Sequence, residues 1–96
     1  MAPDAIPDTV RPLVDQLAAV PGVQRVILFG SRARGDHRAR SDVDLALDAP
    51  TLSRTEWTRL RLDAADARTL YHVDLVRLSD APDRLRQRIH TEGVDV

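Results

Sequence analysis

The chain has 96 residues, so a single domain with a modest core is expected across its whole length. Its formal net charge is -1, which argues against a nucleic-acid binder held by bulk electrostatics. It contains no Cys, which excludes disulfides, thiolate catalysis and thiolate metal sites. All 14 basic residues are Arg, so every permanent cation is a planar fork suited to phosphate or carboxylate. The start, MAPDAIPDTV, lacks the basic and apolar regions of a signal peptide, and no apolar run is long enough to span a bilayer. A soluble, cytoplasmic protein is the expectation.

Residues 1–7 carry two prolines and read as a loose lead-in. Ile6, Val10, Leu13, Leu17 and Val20 then recur at helical spacing, with Asp8 as the expected cap and Pro12 in the first turn. Pro21-Gly22 stops this helix. In VQRVILFG, apolar residues crowd together before Gly30, which predicts a buried strand. Ser31 opens a short helical turn. Residues 42–48, DVDLALD, alternate: Val43, Leu45 and Leu47 face one way, and Asp42, Asp44, Ala46 and Asp48 the other. That is a half-buried strand with an acidic face. Ser53 and Glu56 have capping-box spacing, and Trp57, Leu60, Ala64, Ala67 and Tyr71 lie on one stripe after them. HVDLVRL (72–78) is a third strand. Ser79 or Asp80 is the expected cap of a last helix beginning near Pro82, with Leu85 and Ile89 inward and Gly93 at its end. VDV adds a short edge strand. The order α-β-α-β-α-β-α predicts an α/β (α+β) domain with a small sheet of three or four strands flanked by helices.

The chemistry gathers in GSRARGDHRARSDVD, residues 30–44. Two Asp at i and i+2 on a strand point the same way, roughly 6–7 Å apart. Like charges so placed repel, and a divalent cation relieves them; hard oxygen ligands suit Mg²⁺. Gly30-Ser31 lets the backbone come close to an anion, Ser31 adds a hydroxyl, and Arg32 and Arg34 follow to brace negative oxygens. A Mg²⁺-bound nucleoside triphosphate satisfies both halves. In-line attack on phosphorus commonly uses two metals about 3.5–4 Å apart, and a second metal needs another ligand. Asp74 is the acidic residue inside the third strand. A lone Asp between Val73 and Leu75 is costly unless paired or bound, which makes it the natural third ligand.

Each part has a plainer reading alone. The Asp pair can be a solvated strand face, Gly30 a turn, and Asp74 the partner of an arginine. Surface ion pairs are expected for Arg38 and Arg40, a strand end for Asp48, and packing rather than metal binding for His72. His37 and His90 are expected on the surface, and Trp57 and Tyr71 in the core. The conjunction is stronger than its parts.

Gly30-Ser31, ten residues, then Asp42-x-Asp44 resembles the signature of the DNA-polymerase-β-like nucleotidyltransferase superfamily. The fuller string GSRARGDHRARSDVDLAL, with VILF before it and VDLV after it, is similar to the minimal nucleotidyltransferases (MNT) over roughly residues 10–94. The resemblance implies a nucleotidyltransferase fold with a small mixed sheet, and transfer of a nucleoside monophosphate from an NTP to a hydroxyl. It implies that Gly30 and Ser31 hold the β- and γ-phosphates, that Asp42 and Asp44 bind Mg²⁺, and that Asp74 binds the catalytic metal and helps deprotonate the acceptor. Arg34 matches the motif's arginine at phosphate. Such proteins are often encoded beside a HEPN-domain toxin. This implies an antitoxin that uses ATP and two Mg²⁺ to adenylylate a tyrosine of that ribonuclease, with no membrane and no direct nucleic-acid contact. Two other readings remain: an antitoxin acting by binding alone with a vestigial site, and a transferase acting on a small molecule or an RNA end.

Overall fold

The computed structural model describes residues 6–36, 38, 41–67 and 69–96. Four strands form one sheet in the order β3-β2-β1-β4. They are β1 (Arg25–Phe29), β2 (Val43–Asp48), β3 (Val73–Arg77) and β4 (Val94–Asp95). β1 runs antiparallel to both β2 and β4, while β2 and β3 are parallel. The helices are α1 (Arg11–Ala18), α2 (Ser31–Arg34), α3 (Arg54–Ala65) and α4 (Asp83–Glu92), with a 3-10 turn at Leu78–Asp80 before α4. The mixed sheet, the element order and the terminal edge strand all agree with the expected α/β class.

The alternation of β2 explains one layer. Val43, Leu45 and Leu47 are fully buried and pack with Val26 and Leu28 of β1 against Val14 and Leu17 of α1 and Leu60 and Ala64 of α3. The other face departs from the expectation of a half-buried strand. Ala46 is 0% exposed, because Ile27, Phe29, Leu78 and Ile89 of α4 close over it in a second cluster. The sheet is therefore covered on both sides at its centre, and the acidic face opens toward its ends, at Asp42 and Asp44 on one side and Asp48 on the other.

Local signals decide where helices start. Ser53 Oγ accepts from the Glu56 N–H at 3.1 Å, and Glu56 Oε1 accepts from the Ser53 N–H at 2.9 Å, completing the capping box of α3. Two expected caps are not made. The cap position of α1 is Val10, with no side-chain bond, so Asp8 lies a turn too early. The cap of α4 is Pro82, and Ser79 and Asp80 instead form the 3-10 turn. In both places the chain enters the helix through a turn closed by a backbone bond, which shifts the expected residue off the cap position: Val10 N–H donates to Pro7 O, and Ala81 N–H to Leu78 O. Arg77 ties the end of β3 to the β2–α3 connection, donating to the carbonyls of Ala49 (3.2 Å), Pro50 (3.2 Å) and Leu52 (2.6 Å).

Candidate active site

β1 delivers the chain to Gly30, whose φ of 77° and ψ of -156° belong to a region that side chains avoid. A Cβ on Gly30 would run into the carboxylate of Asp44. Gly30 is thus required twice, by its own dihedrals and by the acid packed against it. The turn continues into α2, which ends at Gly35 in the left-handed conformation with φ of 86° and ψ of 7°.

β2 contributes Asp44, with Asp42 just before it, and the parallel register sets Asp44 directly beside Asp74 of β3. All three carboxylates lie at one end of the sheet. Asp44 is half-buried, and its carboxyl is pushed above the usual range, first by burial and then by the charges of Asp74 and Asp42; Arg88 and His72 pull the other way. The ligand atoms of Asp42, His72 and Asp74 lie within 4.8 Å of one another. Acidic oxygens with one imidazole are a donor set that suits a divalent cation, and a cation there would relieve the repulsion that raises Asp44.

Gly30, Ser31, Arg34, Ser41, Asp42, Asp44 and Arg88 line a cleft of about 450 Å³. Arg34 holds Asp36 at 3.2 Å and Glu92 at 3.1 Å. Arg32 does not line the cleft. It is 4% exposed, its Nε and NH2 donate to Ser41 O at 3.1 and 3.0 Å, and its guanidinium lies 5.1 Å from the Tyr71 ring centroid. It fixes the backbone immediately before Asp42 rather than facing the cleft.

Three further expectations need correcting. Asp74 is not a costly buried acid: its side chain is 59% exposed, and it pairs with His72 Nε2 at 3.3 Å rather than with an arginine. It reaches the site through strand register. His72 is 67% exposed at the side chain, so it does not pack in the core. Arg38 makes no ion pair among the described residues; its N–H donates to Ser41 Oγ at 2.8 Å. Arg40 and His37 lie outside the described residues. His90 is exposed, as expected; Trp57 and Tyr71, expected in the core, are only partly buried against the first core cluster.

Sequence reasoning missed Arg88 and Glu92 of α4. Their spacing of four beside inward Leu85 and Ile89 marks an ordinary solvated helix face, and nothing local says that this face overlooks Asp44. His72 was noticed through its His-x-Asp spacing, but its exposure beside Asp42 was not readable.

A mixed four-stranded sheet with three acids at one end, beside a Gly-Ser turn, defines a nucleotidyltransferase fold. The comparisons agree. Residues 13–96 match the family described as Polymerase beta, Nucleotidyltransferase, and the chain belongs to that family. Among solved structures it is similar to a toxin–antitoxin complex with AMP-PNP, at 31% identity and a TM-score of 0.64, covering 91% of this chain and 68% of that one. It is also similar to the tri-AMPylated Shewanella oneidensis HEPN toxin in complex with MNT antitoxin, at 28% identity and a TM-score of 0.61, covering 91% and 67%. An MntA–HepT toxin–antitoxin structure matches at 28% identity and a TM-score of 0.58, covering 91% and 68%. A comparison with curated protein sequences returns no significant match. No helix among the described residues is long and apolar enough to cross a membrane.

Proposed function

We propose that the chain is a Mg²⁺-dependent nucleotidyltransferase that moves AMP from ATP to a hydroxyl, most simply a tyrosine, of a partner HEPN toxin, and so acts as an antitoxin. The observation that carries this reading is the grouping of Asp42 and Asp44 with Gly30-Ser31 on one cleft, with Asp74 set beside Asp44 by the parallel register of β2 and β3. The partner class and the nucleotide rest on the similar structures, one with an AMPylated HEPN toxin and one with AMP-PNP.

In this reading Asp42, Asp44 and Asp74 hold Mg²⁺, which supplies charge neutralisation for the triphosphate and for the acids themselves. Gly30 leaves the backbone open to phosphate oxygens, and the Ser31 hydroxyl donates to them. Arg34 opposes their charge from the rim. Arg32 acts indirectly, holding the Ser41 carbonyl and with it the approach to Asp42. Asp74, exposed at the edge of the sheet, faces an incoming acceptor and takes its proton. The acceptor oxygen bonds to the α-phosphorus, the bond from that phosphorus to the bridging oxygen breaks, and pyrophosphate leaves.

The test uses ATP labelled at the α-phosphate, Mg²⁺ and the HEPN protein of a neighbouring gene, resolved on a denaturing gel. Label should appear on the HEPN protein and vanish with Asp42→Asn/Asp44→Asn. Persisting label in that variant would refute the assignment. A tight complex with no label in the wild type would instead indicate neutralisation by binding alone.

A further inference from the structure

The cleft has a second cationic wall that the Gly-Ser and Asp motif does not contain. Arg88 projects from α4, 44 residues beyond Asp44, yet it lines the same cleft as Gly30, Ser31 and Asp44. Arg88 pairs with Glu92, one turn on, at 3.8 Å, and its side chain is 54% exposed. Glu92 is meanwhile engaged more closely by Arg34, at 3.1 Å, and its own side chain is only 19% exposed. One carboxylate is therefore shared by two guanidiniums that come from different helices, α2 and α4.

We propose that Arg88 is a substrate-binding residue, and that Arg34 and Arg88 form a clamp on the phosphates of the nucleoside triphosphate, with Glu92 as their shared internal counter-anion in the free protein. This rests on the proposed transferase reading and extends it to residues outside the motif.

Charge supports the assignment. Asp42, Asp44 and Asp74 make the floor of the site strongly acidic, and a triphosphate brings further negative charge to it. Bound cations offset part of that charge. Arg32 is turned into the protein on Ser41 O, so Arg34 and Arg88 are the arginines among the described residues that reach the cleft. A guanidinium offers planar, bidentate donation to phosphate, which a pair at 3.8 Å with a shared carboxylate does not use up. Position also fits. Ile89 is buried on Ile27 and Phe29, so the turn of α4 that carries Arg88 is anchored directly behind the Gly30 turn.

The plainer alternative is that Arg88–Glu92 is an ordinary i,i+4 surface pair, contributing little to stability and nothing to binding. The experiment separates the two. Binding of α,β-methylene-ATP, which cannot undergo transfer, is measured calorimetrically with Mg²⁺ for the wild type, Arg88→Met, Arg88→Lys and Glu92→Gln, with circular dichroism as a check on folding. Arg88→Met should weaken binding by roughly tenfold, as expected for a charge-assisted contact in a solvated cleft, and Arg88→Lys should recover part of it. Glu92→Gln should tighten binding, since the competing anion is gone. Wild-type affinity in Arg88→Met would overturn the clamp while leaving the transferase reading intact. Equal weakening in Arg88→Met and Glu92→Gln would show a merely structural pair, and would also overturn it. Failure of the wild type to bind the nucleotide would overturn both the clamp and the reading beneath it.

Discussion

Gly30→Ala isolates the tightest point of the candidate site. The substitution forces an L side chain into φ of 77° and ψ of -156°, which costs about 1–3 kcal/mol. It also drives a methyl into the half-buried carboxylate of Asp44, and displacing that group adds about 1–3 kcal/mol, as overpacking does elsewhere. The sum, about 2–6 kcal/mol, is a large share of the ~5–14 kcal/mol expected for a domain of this size. Gly35→Ala is the internal control. Its φ is 86°, but a Cβ there meets nothing within 4 Å, so only the left-handed penalty of about 1–2 kcal/mol remains. Urea unfolding of both variants should show Gly30→Ala worse by at least ~1 kcal/mol, and a Tm lowered by ~4–8 °C for each kcal/mol. Asp44→Ala should rescue part of the loss, because the Asp44 Cβ lies at an ordinary 3.5 Å from the added Cβ. A double-mutant cycle should return about 1–2 kcal/mol of favourable coupling. Equal costs for the two glycines, or no coupling to Asp44, would refute the claim that Gly30 exists to admit that carboxylate.

Asp44 binds its proton more tightly in the folded chain than in the unfolded one, so its contribution to stability is greatest below the ordinary Asp range and is lost as pH rises through the raised folded value. Without divalent cation at pH 7, Asp44→Asn should therefore raise Tm, with the gain disappearing at acid pH where both chains are neutral there; a variant less stable at pH 7 would contradict this. Ser53→Ala should lose about 1 kcal/mol in chemical denaturation through its half of the capping box. The Glu56 carboxyl is held low by the Ser53 backbone and side chain, so the reciprocal half is present above the ordinary Glu range and fades as pH falls through the lowered value. Arg77→Met should cost about 2 kcal/mol, measured by urea melts, by leaving three carbonyls of the β2–α3 connection without their donor.

Much of the site was legible from local pattern. Gly30-Ser31 and Asp42-x-Asp44 act at fixed short offsets, and strand alternation alone puts the two acids on one face. The capping box at Ser53 and Glu56 is likewise complete within four residues. Misread caps at Asp8, Ser79 and Asp80 mark the limit of that method. A good capping residue near a helix is not a cap when an intervening turn puts another residue at the cap position. Burial of Ala46 was also hidden, since a period of two cannot reveal that α4 returns to cover the second face.

What the tertiary structure decided is everything that joins distant segments. Asp74 meets Asp44 because β2 and β3 pair in parallel with that register, across a connection that carries no periodic trace of it. His72 joins Asp42 by the same pairing. Arg88 reaches the cleft, and Glu92 reaches Arg34, only because Ile89 docks α4 on β1. Arg32 turns inward because the Ser41 carbonyl and the Tyr71 ring, the latter 39 positions away, give its guanidinium a better partner than water. Residue types and short spacings encode which chemistry the chain can perform. Long-range packing, which depends on volume and register rather than on any repeat, chooses which of the fourteen arginines face it.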